Sequence, residues 1–437
     1  MKNLNFKRKS IGKDIHALAK TLWPINRSIT GDGVRETLKI LQKICEKIVI
    51  NEVKSEKKVF DWIIPDEWNI KEAWIKEPSG KKIVDFSKNN LHIVGYSTPI
   101  DKKLSLNELK KHLYSLHDQP KAIPYVTSFY KKRWGFCLND NLKKKLKKGT
   151  YRAYIDSKFT KGHLTYGEII LPGEIKKEIF ISTNICHPSL ANNELSGPVV
   201  TTYLAKWLQS LQKRKFTYRI VFVPETIGSI AYLSKNYKKM KKNVYAGFNI
   251  CCIGDDREYS YLPSRKSDTI SDKIAKHVLK WTDKSYKTYN WSDRGSDERQ
   301  YCSPGIDLPI ASIMRTKYGE YPEYHTSLDD LKKVVTPEGL EGGYNVLRKS
   351  LEVLENNCFP KTNMLCEPQL SKRGLYPTIS IKNSTKNLKL MLDLISYSDG
   401  NCSLLDIANK INVPIWSLYP LLKILKEKKI LKIKNFY

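Results

Sequence analysis

The sequence contains no pair of cysteines spaced C-x-x-C. Its nine cysteines (Cys45, Cys137, Cys186, Cys251, Cys252, Cys302, Cys358, Cys366 and Cys402) are scattered and odd in number, so neither a disulfide framework nor a zinc ribbon is expected. No apolar run approaches the roughly 18 residues of a membrane helix. The opening stretch MKNLNFKRKSIGKD lacks the apolar core of a signal peptide. These absences lead to the expectation of a soluble cytoplasmic protein with no membrane span. Acidic residues are in deficit, 45 against 76 basic ones, for a formal charge of +31. Such a charge suits a polyanion partner such as nucleic acid or an anionic membrane surface. The lysines are spread along the whole chain, however, so a general lysine-rich bias accounts for most of the excess. Internal repeats and low-complexity tracts are also missing.

What is present is ample apolar material, 41% of 437 residues. That length exceeds the roughly 250 to 300 residues at which single cores stop growing, so two or three domains are expected. DIHALAKTLW and VRETLKILQKICEKI place apolar residues at i, i+3, i+4 and i+7, which predicts two N-terminal helices. From about residue 58 to 150 the pattern changes to short alternating segments broken by Pro, Gly and Asn, such as VFDWIIPDEW and TYRAYID, the pattern of a small β-rich domain. After residue 160 it becomes strand, loop, helix, strand. EIFISTNI is a continuously apolar strand of the kind buried on both faces. SGPVVTTYLAKWLQSL follows as a helix, and YRIVFVPE, VYAGFNICCIG and LPIASIMRT as further strands. This alternation predicts an α/β fold with a doubly wound, mostly parallel sheet. Residues 359–377 read as a linker. Beyond them NLKLMLDLISYSDG, SLLDIANKI, VPIWSLYPLLKILKEKK and ILKIKNFY predict three helices and a terminal strand, a winged helix-turn-helix.

In an open α/β sheet, ligands bind beyond the carboxyl ends of the strands. Four polar residues fall at such ends: His187 after EIFISTNI, Glu225 closing YRIVFVPE, Asp297 ahead of the strand at 308, and His325 after it. Two imidazoles and two carboxylates at one edge are a ligand set that zinc favours. Each also has a plainer reading. Glu225 could cap the next helix, and Asp297 could pair with Arg294 or Arg299.

LWPINRSITGDGVRETL, NNLHIVGYSTP, ICHPSLANNELSGP, VPETIGSIAYL, GSDERQY and YPEYHTSLDDL occur in that order along nearly the whole chain. On these motifs the sequence resembles the co-catalytic zinc aminopeptidases, the clan that also holds the glutaminyl cyclases. It is more closely similar to an uncharacterised bacterial group of aminopeptidase-like proteins with an inserted domain of unknown function and a C-terminal winged helix. The resemblance implies a catalytic domain over 1–58 and 151–360, an insert over 59–150 and a winged helix over 372–437. It implies His187 and Asp297 as ligands of one metal and His325 as a ligand of the other. Glu225 stands where the clan has two consecutive glutamates, a general base and a ligand; the second position here is Thr226, so Glu225 is base or ligand. Asn193 stands where the clan has an aspartate bridging two cations. Two divalent cations about 4 Å apart need anionic ligands to offset their repulsion, and a neutral amide supplies no charge. The expectation is a single zinc rather than two, weakened affinity, or no metal. Glu194 restores a carboxylate one position along.

The implied activity is hydrolysis of an amide bond, in a small peptide or an amino-sugar amide, because the group also resembles proteins encoded among surface-polysaccharide functions. Zinc would activate water and polarise the carbonyl while Glu225 carries the proton; Arg315 and Tyr324 would orient the substrate. The alternative is a catalytically impaired binding or regulatory protein that works through its winged helix. That helix opens on Trp416, Leu418 and Tyr419, which suits a protein partner or a second copy of the chain at least as well as DNA.

Overall fold

The structure, a computed structural model, describes residues 10–376 and 382–434. The end of the expected linker and the last three residues of the expected wing lie outside the described residues. No helix among them is long and apolar enough to cross a membrane. They group into two compact units, one of residues up to 272 with 285–345, the other of 273–284 with 346 onward.

The first unit is built on an eight-stranded sheet in the order Val49–Lys54, His163–Leu171, Phe216–Val223, Ile175–Asn184, Val244–Ile250, Ile310–Met314, Ser260–Leu262 and Lys287–Thr288. The four middle strands, Phe216–Val223 to Ile310–Met314, run parallel. Antiparallel pairings flank them, so the sheet is mixed, with the expected parallel strands as its centre. Continuous apolar runs occupy the middle because neighbours cover both faces there. Successive residues of Ile175–Asn184 point to opposite faces. Phe180 packs edge-on against Tyr301 at 4.8 Å, and Ser182 Oγ bonds the Tyr301 hydroxyl at 2.7 Å, so those two residues mark one face. Thr183 marks the other, under the helix Ser196–Ser210: a Cβ on Gly197 would lie 2.3 Å from Thr183 Oγ1 and 2.6 Å from the Ile250 carbonyl. Only glycine permits that approach. The N-terminal helices Ile11–Leu22 and Asp32–Ile44 pack on this same helix, and Ile227–Asn243 packs against the sheet strands as well. The winding therefore sends the chain over both faces and delivers its loops to one edge.

Between the second N-terminal helix and the central strands lies an antiparallel sheet in the order Lys82–Asp85, Glu67–Lys76, Thr150–Thr160 and Ile100–Ser105. Alternate residues of its longest strand, Tyr151, Ala153 and Ile155, are buried, as period-two patterning requires. That strand continues past residue 150 to pair with Glu67–Lys76 along its whole length. A short hairpin, Lys58–Val59 with Trp62–Ile63, precedes the sheet. A loop around residue 125 leaves it and bonds to the segment after the strand Ile310–Met314: Tyr125 N–H donates to the His325 carbonyl at 2.9 Å, and Ser327 N–H to the Ile123 carbonyl at 2.9 Å.

In the second unit the helices Lys382–Ser396, Leu404–Lys410 and Tyr419–Glu427 accompany an antiparallel pair, Phe359–Thr362 with Leu431–Lys434. The start of the expected linker is thus a strand. Its backbone donors and acceptors are satisfied by the wing, a long-range pairing that local periodicity does not reveal. Ser403 and Asp406 form a capping box at the middle helix. Leu404, Ile407, Ile415, Leu418 and Leu425 make the core of this unit.

Candidate active site

His187 follows the strand Ile175–Asn184 and is buried, with 5% of its surface exposed. Its Nδ1–H donates to Glu194 Oε2 at 2.6 Å, while Nε2 lies 3.6 Å from Glu225 Oε2. Its carbonyl accepts from Nε of Arg27, a fully buried arginine that burial pushes down to about 10 and that feels the charge of Glu194. Burial alone would disfavour the imidazolium of His187, but the acids around it, Tyr125, Cys186 and Glu194, hold it well above its ordinary value. Burial in turn pushes the Tyr125 hydroxyl and the Cys186 thiol above their ordinary values.

Glu194 reaches His187 because the chain underwinds one turn. Residues Ala191–Leu195 form a single π-helical turn, closed by Leu195 N–H donating to the Leu190 carbonyl at 3.2 Å. The extra residue in that turn sends both Asn193 and Glu194 into the site, where an ordinary helix would turn one of them away. Asp329 clamps the turn: its Oδ1 accepts from Asn192 N–H at 2.7 Å and its Oδ2 from Asn193 N–H at 3.0 Å. Burial pushes the Asp329 carboxyl up to about 7 against the pull of those donors and the Tyr321 hydroxyl. Asn193 Oδ1 meets His325 Nε2 at 3.1 Å. Burial, then the charge of His187, lowers His325 to about 3, so its ring is neutral. His325 itself adopts φ 56°.

Glu225 and Asp297 form the opposite side. Thr226, at φ 65° and ψ −75°, caps the helix Ile227–Asn243, and its N–H donates to Asp297 Oδ1 at 2.7 Å. Ser229 Oγ donates to the same oxygen at 2.8 Å. Burial raises Glu225, with His187 opposing and the Glu194 carboxylate reinforcing. Burial and then Glu225 raise Asp297 well above the usual carboxylate range.

A cavity of about 430 Å³ opens on these groups, lined on one side by Cys186, His187, Glu225, Thr226, Ile227, Arg299 and His325. Trp62, Tyr125, Thr127, Phe129 and Tyr130 line it from the hairpin and the loop around residue 125. The Tyr125 ring sits 4.9 Å from that of His187 and 5.1 Å from that of His325.

Residues 16–357 match the model of a family described as a domain of unknown function (DUF4910), and 358–433 match a winged helix-turn-helix. The chain belongs to the DUF4910 family. A Clostridium acetobutylicum protein named for polysaccharide biosynthesis and an aminopeptidase-like domain is 43% identical over 401 residues, 91% of each chain. A crystal structure from the same organism, named as a peptidase, superposes with TM-score 0.92 at 40% identity and covers 97% of both chains. The zinc aminopeptidase of Bacillus subtilis (TM-score 0.58, 14% identity, 81% of this chain and 96% of that one) and an M28 peptidase precursor from Shewanella amazonensis (0.57, 14%, 82% and 95%) share the fold. The fold of this DUF4910 chain is therefore aminopeptidase-like.

Within the DUF4910 domain, the strand ends bring His187, Glu225 and His325 to one cavity and set Asp297 and Asn193 directly behind it. Asn193 bonds His325 instead of standing between two carboxylates. Arg315 does not line the cavity; it is buried with its guanidinium 4.0 Å over the Tyr259 ring. Tyr324 does not line it either, but stacks on His325 at 3.9 Å and 13°. Arg299, Trp62, Tyr125 and Asp329 emerge only in three dimensions. Trp62 and Tyr125 carry no signal of a site, whereas Arg299 and Asp329 lie inside the quoted motifs GSDERQY and YPEYHTSLDDL.

The groups present suit a divalent cation. Two buried carboxylate oxygens, Asp297 Oδ2 and Glu194 Oε1, have no hydrogen-bond partner. Buried carboxylate oxygens normally find donors, and here three carboxylates crowd beside two imidazoles. The donor atoms of Cys186, His187 and Glu194 lie within 4.8 Å of one another. The Cys186 thiol is pushed up to about 11 by burial and already accepts from Glu225 N–H at 3.2 Å, so it is the poorest donor of that trio.

Proposed function

We propose that this chain is a zinc-dependent hydrolase of an amide bond in a small peptide or an amino-sugar amide. The observation that carries the reading is the pair of unpartnered buried carboxylate oxygens, on Asp297 and Glu194, just behind the His187 and Thr226 that line the cavity. His187 would hold zinc through Nε2, since its Nδ1 is taken by Glu194, an outer-shell arrangement common to zinc-binding histidines. Asp297 through Oδ2 and His325 would complete the set, which leaves Glu225 free to act as the base. Asn193 offers one neutral oxygen, which favours one zinc over two. The zinc would supply Lewis acidity at the scissile carbonyl. Glu225, raised by burial, is poised to take the proton of the attacking water and return it to the leaving amine, the task of a general base tuned toward neutral pH. Tyr324 stacks on His325 and holds its ring; Arg315 acts through Tyr259 at a distance from the cavity. We further propose that the insert over 59–150 is the substrate-facing wall, since it supplies the aromatic side of the cavity.

Elemental analysis after dialysis against trace zinc, coupled to a screen of aminoacyl and amino-sugar amides, tests this. About one zinc per chain is expected, with turnover that Glu225→Gln lowers about 10²- to 10⁴-fold. A chain that takes up no zinc, or hydrolysis indifferent to a chelator, would overturn the reading in favour of a metal-free binding protein.

A further inference from the structure

We infer that Arg299 is a substrate-anchoring residue that pairs with a free carboxylate on the ligand of the cavity. The residue sits two positions beyond Asp297, in the helical turn Glu298–Tyr301. Its Nη2 donates to Thr226 Oγ1 at 2.7 Å. Thr226 is β-branched and held at φ 65°, a conformation such residues rarely adopt. In that turn the Thr226 N–H donates to Asp297 and its hydroxyl accepts from Arg299, so one residue ties the carboxylate behind the cavity to the arginine that lines it.

Arg299 is the one permanent cation among the described lining residues, and among those residues it forms no ion pair with a carboxylate. Its charge is felt by Glu225. The side chain is exposed, which leaves the rest of the guanidinium fork open to a ligand. Such a fork matches the two oxygens of a carboxylate, and pairing there is stronger than a neutral hydrogen bond. Among the described lining residues the insert's side of the cavity, with Trp62, Phe129 and Tyr130, supplies no cation, so Arg299 is the partner for a ligand's carboxylate there. A volume of about 430 Å³ suits a ligand of one or two residues, short enough to reach Glu225 and Arg299 together.

The carboxylate could be the C-terminus of a small peptide or the uronate of an amino sugar. The inference rests on the site proposed above, but its test reads binding, not turnover. Calorimetry on the full chain would compare phenylalanyl-glycine with phenylalanyl-glycinamide, and an N-acetyl amino-sugar uronate with its neutral counterpart. The carboxylate member of one pair is expected to bind about 10- to 100-fold more tightly, the worth of a charge-assisted hydrogen bond; which pair responds identifies the source. Arg299→Ala should abolish that preference and leave the neutral member within about twofold, while Arg299→Lys should restore part of it, since lysine keeps the charge but not the fork. Wild-type protein with no carboxylate preference in either pair, or equal weakening of charged and neutral ligands by Arg299→Ala, would overturn the inference. Loss of the hydrolase reading would appear separately, as absent turnover with the carboxylate preference intact.

Discussion

Asn193 and Glu194 are neighbours in sequence with opposite assignments in space. Asn193 bonds the neutral ring of His325, and Glu194 bonds His187. The carboxylate that sequence places one position too far along is thus a partner of the first histidine and leaves the amide at the second. This arrangement predicts metal content residue by residue. Asn193→Asp would bring a charge to His325 and is expected to raise zinc toward about two per chain, whereas His325→Ala should lower it. Elemental analysis of both variants checks this, and unchanged zinc in both would remove these residues from the site. At this scale the sequence was largely legible: His187, Glu225 and His325 each follow a strand of the central sheet and do meet at one cavity. Arg315 was not legible, because its position after the strand Ile310–Met314 says nothing about which way a buried side chain turns, and it turns to Tyr259.

The element that makes the difference is the π-helical turn Ala191–Leu195, and the clamp that keeps it is Asp329. Two backbone N–H groups of the turn have the Asp329 carboxylate as their acceptor. Asp329→Ala would leave both buried donors unsatisfied, at a cost of about 3 kcal/mol. Urea unfolding should show that loss, and zinc uptake should fall with it because Asn193 and Glu194 lose their directions. Stability unchanged by the substitution would show that the turn closes without the clamp. Local periodicity gives a helix here and cannot give its pitch: 3.6 residues per turn is the default, and the departure is imposed by a residue more than a hundred positions away. The strand at Phe359–Thr362 was missed for the same reason, since its partner lies at the far end of the chain.

For the whole molecule, the two compact units answer to different chemistry. In the second unit, His277 Nδ1–H donates to Asn409 Oδ1 at 2.6 Å, and Nε2 accepts the N–H of Ile415 at 3.0 Å. That second bond requires a neutral ring. Burial holds His277 below its ordinary value of 6.5 despite the bond to Asn409. A histidine lowered in the folded state binds protons more readily when unfolded. Its contribution is therefore intact above about pH 6.5 and is lost as pH falls from there through the folded value. The melting temperature of this unit should drop between pH 7 and 5, and His277→Gln should flatten the drop; an identical pH profile in the variant would show that other groups carry it. The charge of +31 belongs to this scale too. It is spread along the chain, and the cavity itself holds a single arginine.

The sequence by itself determined the alternation of buried strands and helices, the winged helix, and the order in which polar residues arrive at strand ends, because each follows from the period of apolar residues and from punctuation by Gly and Pro. Tertiary structure alone decided which groups touch. The loop carrying Tyr125 crosses to bond His325, two hundred positions away, and Arg299 reaches Thr226 across 73 positions. The physical reason is that a strand's period fixes which face a side chain occupies, while its neighbours on that face come from distant segments whose pairing is settled only when the core closes.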